Sequence, residues 1–187
     1  QIVILASIES ETDRLTSIVT NLLDLSRLEA GVLRPSMRAL SIEEVLPAVI
    51  HSFNEATNRI TTDLAQQTHD IYADPALLER VLANLVGNAL AWSPPKSVVT
   101  VSLHHRFDEI QIHIIDHGPG IPPEQRNIVK QPFHRLHDTS PHGGLGLGLA
   151  IADRLVAAMN GRLELRDTPG GGLTSVVILQ AYNEETA

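Results

Sequence analysis

The chain holds no cysteine and only two lysines, Lys96 and Lys130, among its 187 residues. The missing thiols exclude disulfides and thiolate metal sites and suit a cytoplasmic location. With so few lysines, an anion must be held mainly by arginines, backbone amides or a metal. There is no basic excess: the formal net charge is -8, which argues against a nucleic-acid-binding surface. No apolar run reaches the roughly 18–20 residues of a membrane span, and no signal peptide is read. What is present is ample core material. Hydrophobic residues make up 43% of the chain, and the length suits one ordinary domain plus an extra element, or two small domains. The opening stretch QIVILASI starts abruptly inside apolar sequence, as expected of a piece cut from something larger.

Residues 4 to 30 carry a heptad-like stripe. Ile8, Leu15 and Leu22 are seven apart, and Ile4, Ile18 and Leu25 take the companion positions. Val19, Leu23 and Leu28 widen the stripe beyond a two-stranded seam, which predicts packing in a helical bundle or dimer. Folding back onto the rest of the chain is the competing reading. Gly31 and Pro35 end this helix. Beyond Pro35 the texture is mixed. IEEVLPAVIHSFNEA reads as a helix begun by Ser41 with Glu43 and Glu44 in its first turn. RITTDLA and DIYA read as short strands, and Asp74-Pro75 marks the start of a helix over 75–91. SVVTVSLHH and EIQIHIID alternate like the arms of a hairpin. LGLAIADRLVAAMN is an amphipathic helix closed by Gly161, and RLELRDTPGGGLTSVVILQ reads as a strand pair around a glycine-rich turn. These elements predict an α/β sandwich following a separate helix.

Three stretches carry chemistry. In ANLVGNALAWS, Asn84 and Asn88 fall about 40° apart on the helix, at the edge of the arc of Val81, Leu82, Leu85 and Val86. Two amide oxygens on one face suit a hard cation that keeps water and bridges phosphates, as Mg²⁺ does, although two amides can equally bond backbone or each other. In DHGPGIP, Asp116 stands at a strand end before two glycines, an acceptor for a purine amine or an ordinary Asp turn. GGLGLGL, residues 143–149, feeds straight into a helix, where glycines let backbone approach a ligand and free N–H groups favour phosphate. The loop fits neither known glycine fingerprint. Leu149 or Ile151 occupies the third glycine position of the dinucleotide motif, and no Gly-Lys-Ser/Thr occurs. His134, His137 and His142 invite a zinc reading, for which solvated loop residues are the simpler account.

Taken in order, Asn84…Asn88, DHGPGIP, Phe133 in QPFHRL, GGLGLGLA and GGGLTSVVI resemble the N, G1, F, G2 and G3 boxes of the histidine kinase ATP-binding domain, the family shared with gyrase, Hsp90 and MutL. The resemblance spans about residues 36 to 181. TDRLTSIVTNLLDLSRLEAGVL is similar to the second helix of the kinase dimerisation hairpin. IYADPALLERVLANLVGNAL and TPGGGLTSVVIL are most similar to KdpD-type potassium-sensor kinases.

The resemblance implies an α+β, two-layer Bergerat-type fold, a mixed sheet with helices on one face, over 34–187, preceded by a partial dimerisation helix over 1–33. It implies ATP and Mg²⁺ as ligands, with Asn88 on the metal helped by Asn84. It assigns Asp116 to the adenine amine, Gly118, Gly120, Trp92 and Thr174 to the same pocket, and Gly144, Gly146 and Gly148 to the phosphates. A lid over 134–143 would bring Arg135 toward a phosphate. The implied partners are the phosphoacceptor helix of the parent kinase, a response regulator of the KdpE kind, and a second copy through the helical bundle. The parent would be membrane-anchored with this part in the cytoplasm.

Four features separate this chain from the wider pattern. Hydrolysing relatives carry a Glu four residues before the Mg²⁺ asparagine, whereas this chain has Asn84, which takes up no proton at neutral pH. The expected chemistry is therefore transfer of phosphate. Ala91 stands where a basic residue is common and His117 where Asn is common. No histidine sits in phosphoacceptor surroundings; His51 in VIHSF does not. The acceptor is expected upstream of Gln1, so the chain should not phosphorylate itself. A nucleotide- or partner-binding module without transfer, and an anti-sigma-type serine kinase, are the alternatives.

Overall fold

The computed structural model describes residues 33–64, 70–134 and 146–183, with positions 12, 16, 19, 20, 23, 26, 30 and 31. The chain divides into two compact units, Gln1–Leu33 and Arg34–Ala187. In the first, positions 12, 16, 19, 20, 23 and 26 are helical. Thr16 and Thr20 donate their hydroxyls back to Thr12 O and Thr16 O at 2.9 and 2.8 Å. Val19 and Leu23 are each half exposed. Gly31 takes the left-handed conformation at φ +64°, the helix stop expected of a glycine there. Heptad positions Ile4, Ile8, Leu15, Ile18, Leu22, Leu25 and Leu28 lie outside the described residues.

The second unit begins with β1 (Arg38–Leu40) and α1 (Ile42–His51). Ser41 caps α1 reciprocally: its Oγ accepts from Glu43 N, and Glu44 accepts from Ser41 N at 3.1 Å. The helix ends earlier than SFNEA suggested. Asn54 turns left-handed at φ +45°, and residues Asn54–Arg59 tighten into a 3₁₀ turn. Then follow β2 (Ile60–Leu64), β3 (Ile71–Ala73) and α2 (Pro75–Trp92). Asp74 secures two segments at once, accepting Leu77 N at 3.1 Å as the helix cap and Ser36 N at 2.7 Å. The remaining elements are β4 (Val99–Arg106), β5 (Glu109–Ile115), α3 (Gly148–Ala158), β6 (Arg162–Asp167) and β7 (Leu173–Gln180).

Five strands form one open mixed sheet in the order β2-β4-β5-β7-β6; β2 runs parallel to β4 and the other pairs are antiparallel. A separate pair, β1 with β3, closes one end. Ile110, Ile112 and Ile114 of β5 share a face with Val101, Leu103, Val177 and Leu179, and all are buried. α2 packs on β4 and β5, α3 on β6 and β7, and the two helices on each other. The opposite face carries Ser102, His104, Gln111, His113, Arg162, Glu164 and Arg166. This is the α+β architecture with a helix layer on the apolar face of the sheet. One consequence matters for the site: the end of β5, the start of β7, the last turns of α2 and the start of α3 all meet at one edge of the sandwich.

Candidate functional site

α2 buries Val81, Leu82, Leu85 and Val86, and leaves Asn84 and Asn88 half-buried at the rim of that stripe. Asn84 donates its Nδ2–H to Arg80 O at 2.9 Å, which frees Oδ1 for another partner. Both amides face the first residue of α3. A Cβ built on Gly148 would lie 3.2 and 3.3 Å from Asn88 Nδ2 and Oδ1, and 3.5 Å from Asn84 Oδ1. The glycine is therefore what keeps the space between the helices open. α3 starts after Leu147 with no side-chain cap, so its first N–H groups have no partner within the helix. Gly146 just before it is left-handed at φ +71°. Amide oxygens thus face a helix start whose first backbone donors have no partner within the helix: the former suit a cation, the latter an anion.

The second half of the site is built around Asp116. Its Oδ1 accepts two backbone donors, Gly118 N at 2.8 Å and Leu173 N at 3.0 Å, and its own N–H donates to Leu173 O at 2.9 Å. Oδ2 takes no hydrogen bond from the described residues, yet Ser93 Oγ is the one sealed, unpartnered side-chain polar atom among them. Burial pushes the Asp116 carboxyl above the usual carboxylate range, opposed by the Leu173 and Gly118 donors and by His117. The turn is held by close backbone approaches. A Cβ on Gly172, at φ +121°, would stand 2.0 Å from Asp116 O, and one on Gly118 would stand 2.8 Å from Trp92 O. Gly120 is left-handed at φ +73°.

Trp92 ends α2 beside this turn and is 41% exposed. Thr174, opposite Ile115, is buried and shares a hydrogen bond of 2.9 Å with Thr168. The structure thus gathers Asn84, Asn88, Gly146 and Gly148 on one side, and Asp116, Gly118, Gly120, Trp92 and Thr174 on the other. Gly144 and Arg135 lie outside the described residues, as do His137, His142 and most of the lid read over 134–143. Among the described residues no cluster of three or more His, Asp or Glu is arranged for a metal. Sequence reasoning missed the Leu173 amide, which no side chain announces. It also missed Arg126, whose guanidinium joins the Asp116 turn to β6.

An open mixed sheet under two helices thus brings a buried carboxylate at one strand end and an uncapped helix start facing paired amides to one edge. The chain belongs to the histidine kinase-, DNA gyrase B- and HSP90-like ATPase family, which matches residues 73–183. It is 45% identical over 165 residues to the sensor protein KdpD of Rathayibacter rathayi, covering 88% of this chain and 19% of that protein. Against KdpD of Mycobacterium tuberculosis (strain H37Rv) the identity is 40% over 186 residues, covering 95% and 21%. The chain thus spans about a fifth of the length of these relatives. Among solved structures it is similar to full-length ShkA in complex with AMPPNP, with TM-score 0.75 and 26% identity, covering 97% of this chain and 38% of that one. Its fold also matches the Acinetobacter baumannii histidine kinase AdeS, with TM-score 0.77 and 22% identity, covering 98% and 86%.

Proposed function

We propose that this chain is the ATP-binding catalytic part of a two-component sensor histidine kinase, and that it passes the γ-phosphoryl group of ATP to a histidine outside the chain. The observation that carries this reading is the pair Asn84 and Asn88 turned onto the uncapped start of α3, with Asp116 at the far side of the same edge. In this reading Asp116 Oδ2 accepts the adenine amine while Oδ1 stays fixed by Gly118 N and Leu173 N. Trp92 lies against the base, and Thr174 supports the pocket through Thr168. The N–H groups opening α3, with Gly146, hold the phosphates; Gly144 and Arg135 complete that role. AMPPNP on ShkA is in keeping with a nucleotide here.

The donor set fits Mg²⁺: two neutral amide oxygens beside a space that Gly148 leaves open. Asn88 would hold the ion with help from Asn84, and such an ion would supply positive charge to offset that of the phosphates. In the transfer, a P–N bond forms to the acceptor imidazole, the bond from γ-phosphorus to the β–γ bridging oxygen breaks, and ADP leaves. Asn84 offers no base to activate water, which favours transfer over hydrolysis.

The partners that follow are the phosphoacceptor helix of the parent kinase, a KdpE-like response regulator, and a second copy joined through the first unit, whose described positions 12, 16, 19, 20, 23 and 26 are helical. The half-exposed Val19 and Leu23 of that helix support such a pairing. The parent would be membrane-anchored with this part in the cytoplasm; among the described residues no helix is long and apolar enough to cross a membrane. Calorimetric titration with ATP and Mg²⁺ tests the nucleotide part. The wild-type chain should bind, Asp116→Asn and Asn88→Ala should each bind at least about tenfold more weakly, and unchanged affinity in both would overturn the assignment.

A further inference from the structure

Residues 121–131 follow the Asp116 turn, and a small apolar cluster seats them: Val129, Leu165 and Leu173, with Ile121 and Leu149 packed alongside. Two cations flank it. Arg126 is largely buried, with 18% of its side chain exposed, and its fork makes three contacts. Nε donates to Ile121 O at 3.0 Å, one residue past Gly120. Nη1 donates to Leu165 O at 3.1 Å, and Nη2 pairs with Asp167 Oδ1. Asp167 precedes Thr168, whose N–H donates to Gly172 O at 3.2 Å and whose hydroxyl bonds Thr174. Gly172 is the residue pressed against Asp116 O, and Leu173 donates to Asp116 Oδ1. One planar guanidinium therefore joins the segment just after the Asp116 turn to β6, the strand paired with the β7 segment whose Leu173 N–H holds Asp116. Lys130 is fastened elsewhere, to Leu163 O and to Asp153 of α3 at 2.9 Å.

We propose that Arg126 is a positioning residue that sets the preference of this pocket for an amino-purine, by fixing the Asp116 turn against the end of β6. The proposal rests on the reading of Asp116 as the acceptor for the adenine amine. A rigid fork with three acceptors on two segments holds relative position in a way that a single ammonium cannot. Without it, the turn after Gly120 and the β6–β7 turn lose their common anchor, and the free oxygen of Asp116 loses its fixed direction. The nucleotide would still meet Asn84, Asn88 and the start of α3, so the loss should fall on recognition of the base.

The test compares ATP with ITP, whose hypoxanthine has a carbonyl in place of the amine. Wild type should bind ATP at least about tenfold more tightly than ITP. Arg126→Met keeps the apolar stem and should lose most of that preference by weakening ATP alone, with Arg126→Lys restoring only part of it. Asp167→Asn, on a side chain 74% exposed and so tolerant of change, should give an intermediate loss. Lys130→Met serves as the contrast and should leave the ATP-to-ITP ratio near wild type. A full preference retained in both Arg126→Met and Asp167→Asn would overturn the proposal, as would an equal fall in Lys130→Met, which would mean general loosening. A wild-type chain that binds ATP and ITP alike would instead refute the reading of Asp116.

Discussion

Gly172 shows how narrowly the site is set at the level of single residues. Its Cα leaves no room for a methyl group, because a Cβ would fall 2.0 Å from Asp116 O at a φ of +121°. Gly172→Ala should destabilise the chain by at least about 2 kcal/mol, read as a lowered Tm, and should weaken ATP binding more than Gly170→Ala, where a Cβ meets nothing within 4 Å. Asp116 itself titrates from above the usual carboxylate range because it is buried. Protonation removes the acceptor for an amine, so ATP affinity should fall as the pH is lowered into the acid range, and Asp116→Asn should flatten that dependence. Asn84→Glu would put a base where the hydrolysing relatives carry one; ATP hydrolysis should rise by about tenfold or more, and an unchanged rate would argue that Asn84 is not what restrains water attack. At this scale the sequence singled out Asn84, Asn88 and Asp116 as candidates, and the structure brings them to one edge. Backbone donors such as Leu173 N were not singled out, because their identity depends on which strand lies alongside.

At the scale of elements, capping and periodicity wrote the helices clearly. Ser41 with Glu44, and Asp74 with Pro75, mark helix starts that the structure reproduces. Ser41→Ala should cost about 1 kcal/mol, measurable by denaturant unfolding. β1 escaped notice because three residues show no period, and the parallel pairing of β2 with β4 escaped because it joins segments about forty residues apart. The open face of the sheet carries one consequence of its own. His113 lies beside His104, ring centroids 4.4 Å apart, and burial together with the charges of His104, Arg166 and Arg106 holds its pKa down to about 4. A lowered folded-state value means that the unfolded chain binds the proton more readily. Stability is therefore complete above about pH 6.5 and declines as the pH falls toward 4, by about 1–2 kcal/mol for this partly exposed ring. His113→Gln should flatten that part of the pH–stability curve; a decline of wild-type size would assign it to other groups.

For the whole molecule, the two units have different tasks in this account. In the proposed reading residues 34–187 hold the nucleotide, while residues 1–33 carry an apolar sequence stripe whose described members Val19 and Leu23 are half exposed. The order of the boxes along the chain disclosed the family, since no single motif sufficed: the glycine loop, the Asp turn and the asparagine pair each had a plain structural explanation. What the order could not disclose was how the pieces brace one another, as Arg126 does, because that depends on contacts across about forty residues. The central claim is transfer to an external histidine. It is tested most directly by incubating the intact chain with γ-labelled ATP, Mg²⁺ and the histidine-bearing dimerisation domain of a homologous sensor kinase. Acid-labile label should appear on the supplied histidine, with none on the chain itself and little free phosphate. Label on the chain, or release of free phosphate with the acceptor unlabelled, would contradict it.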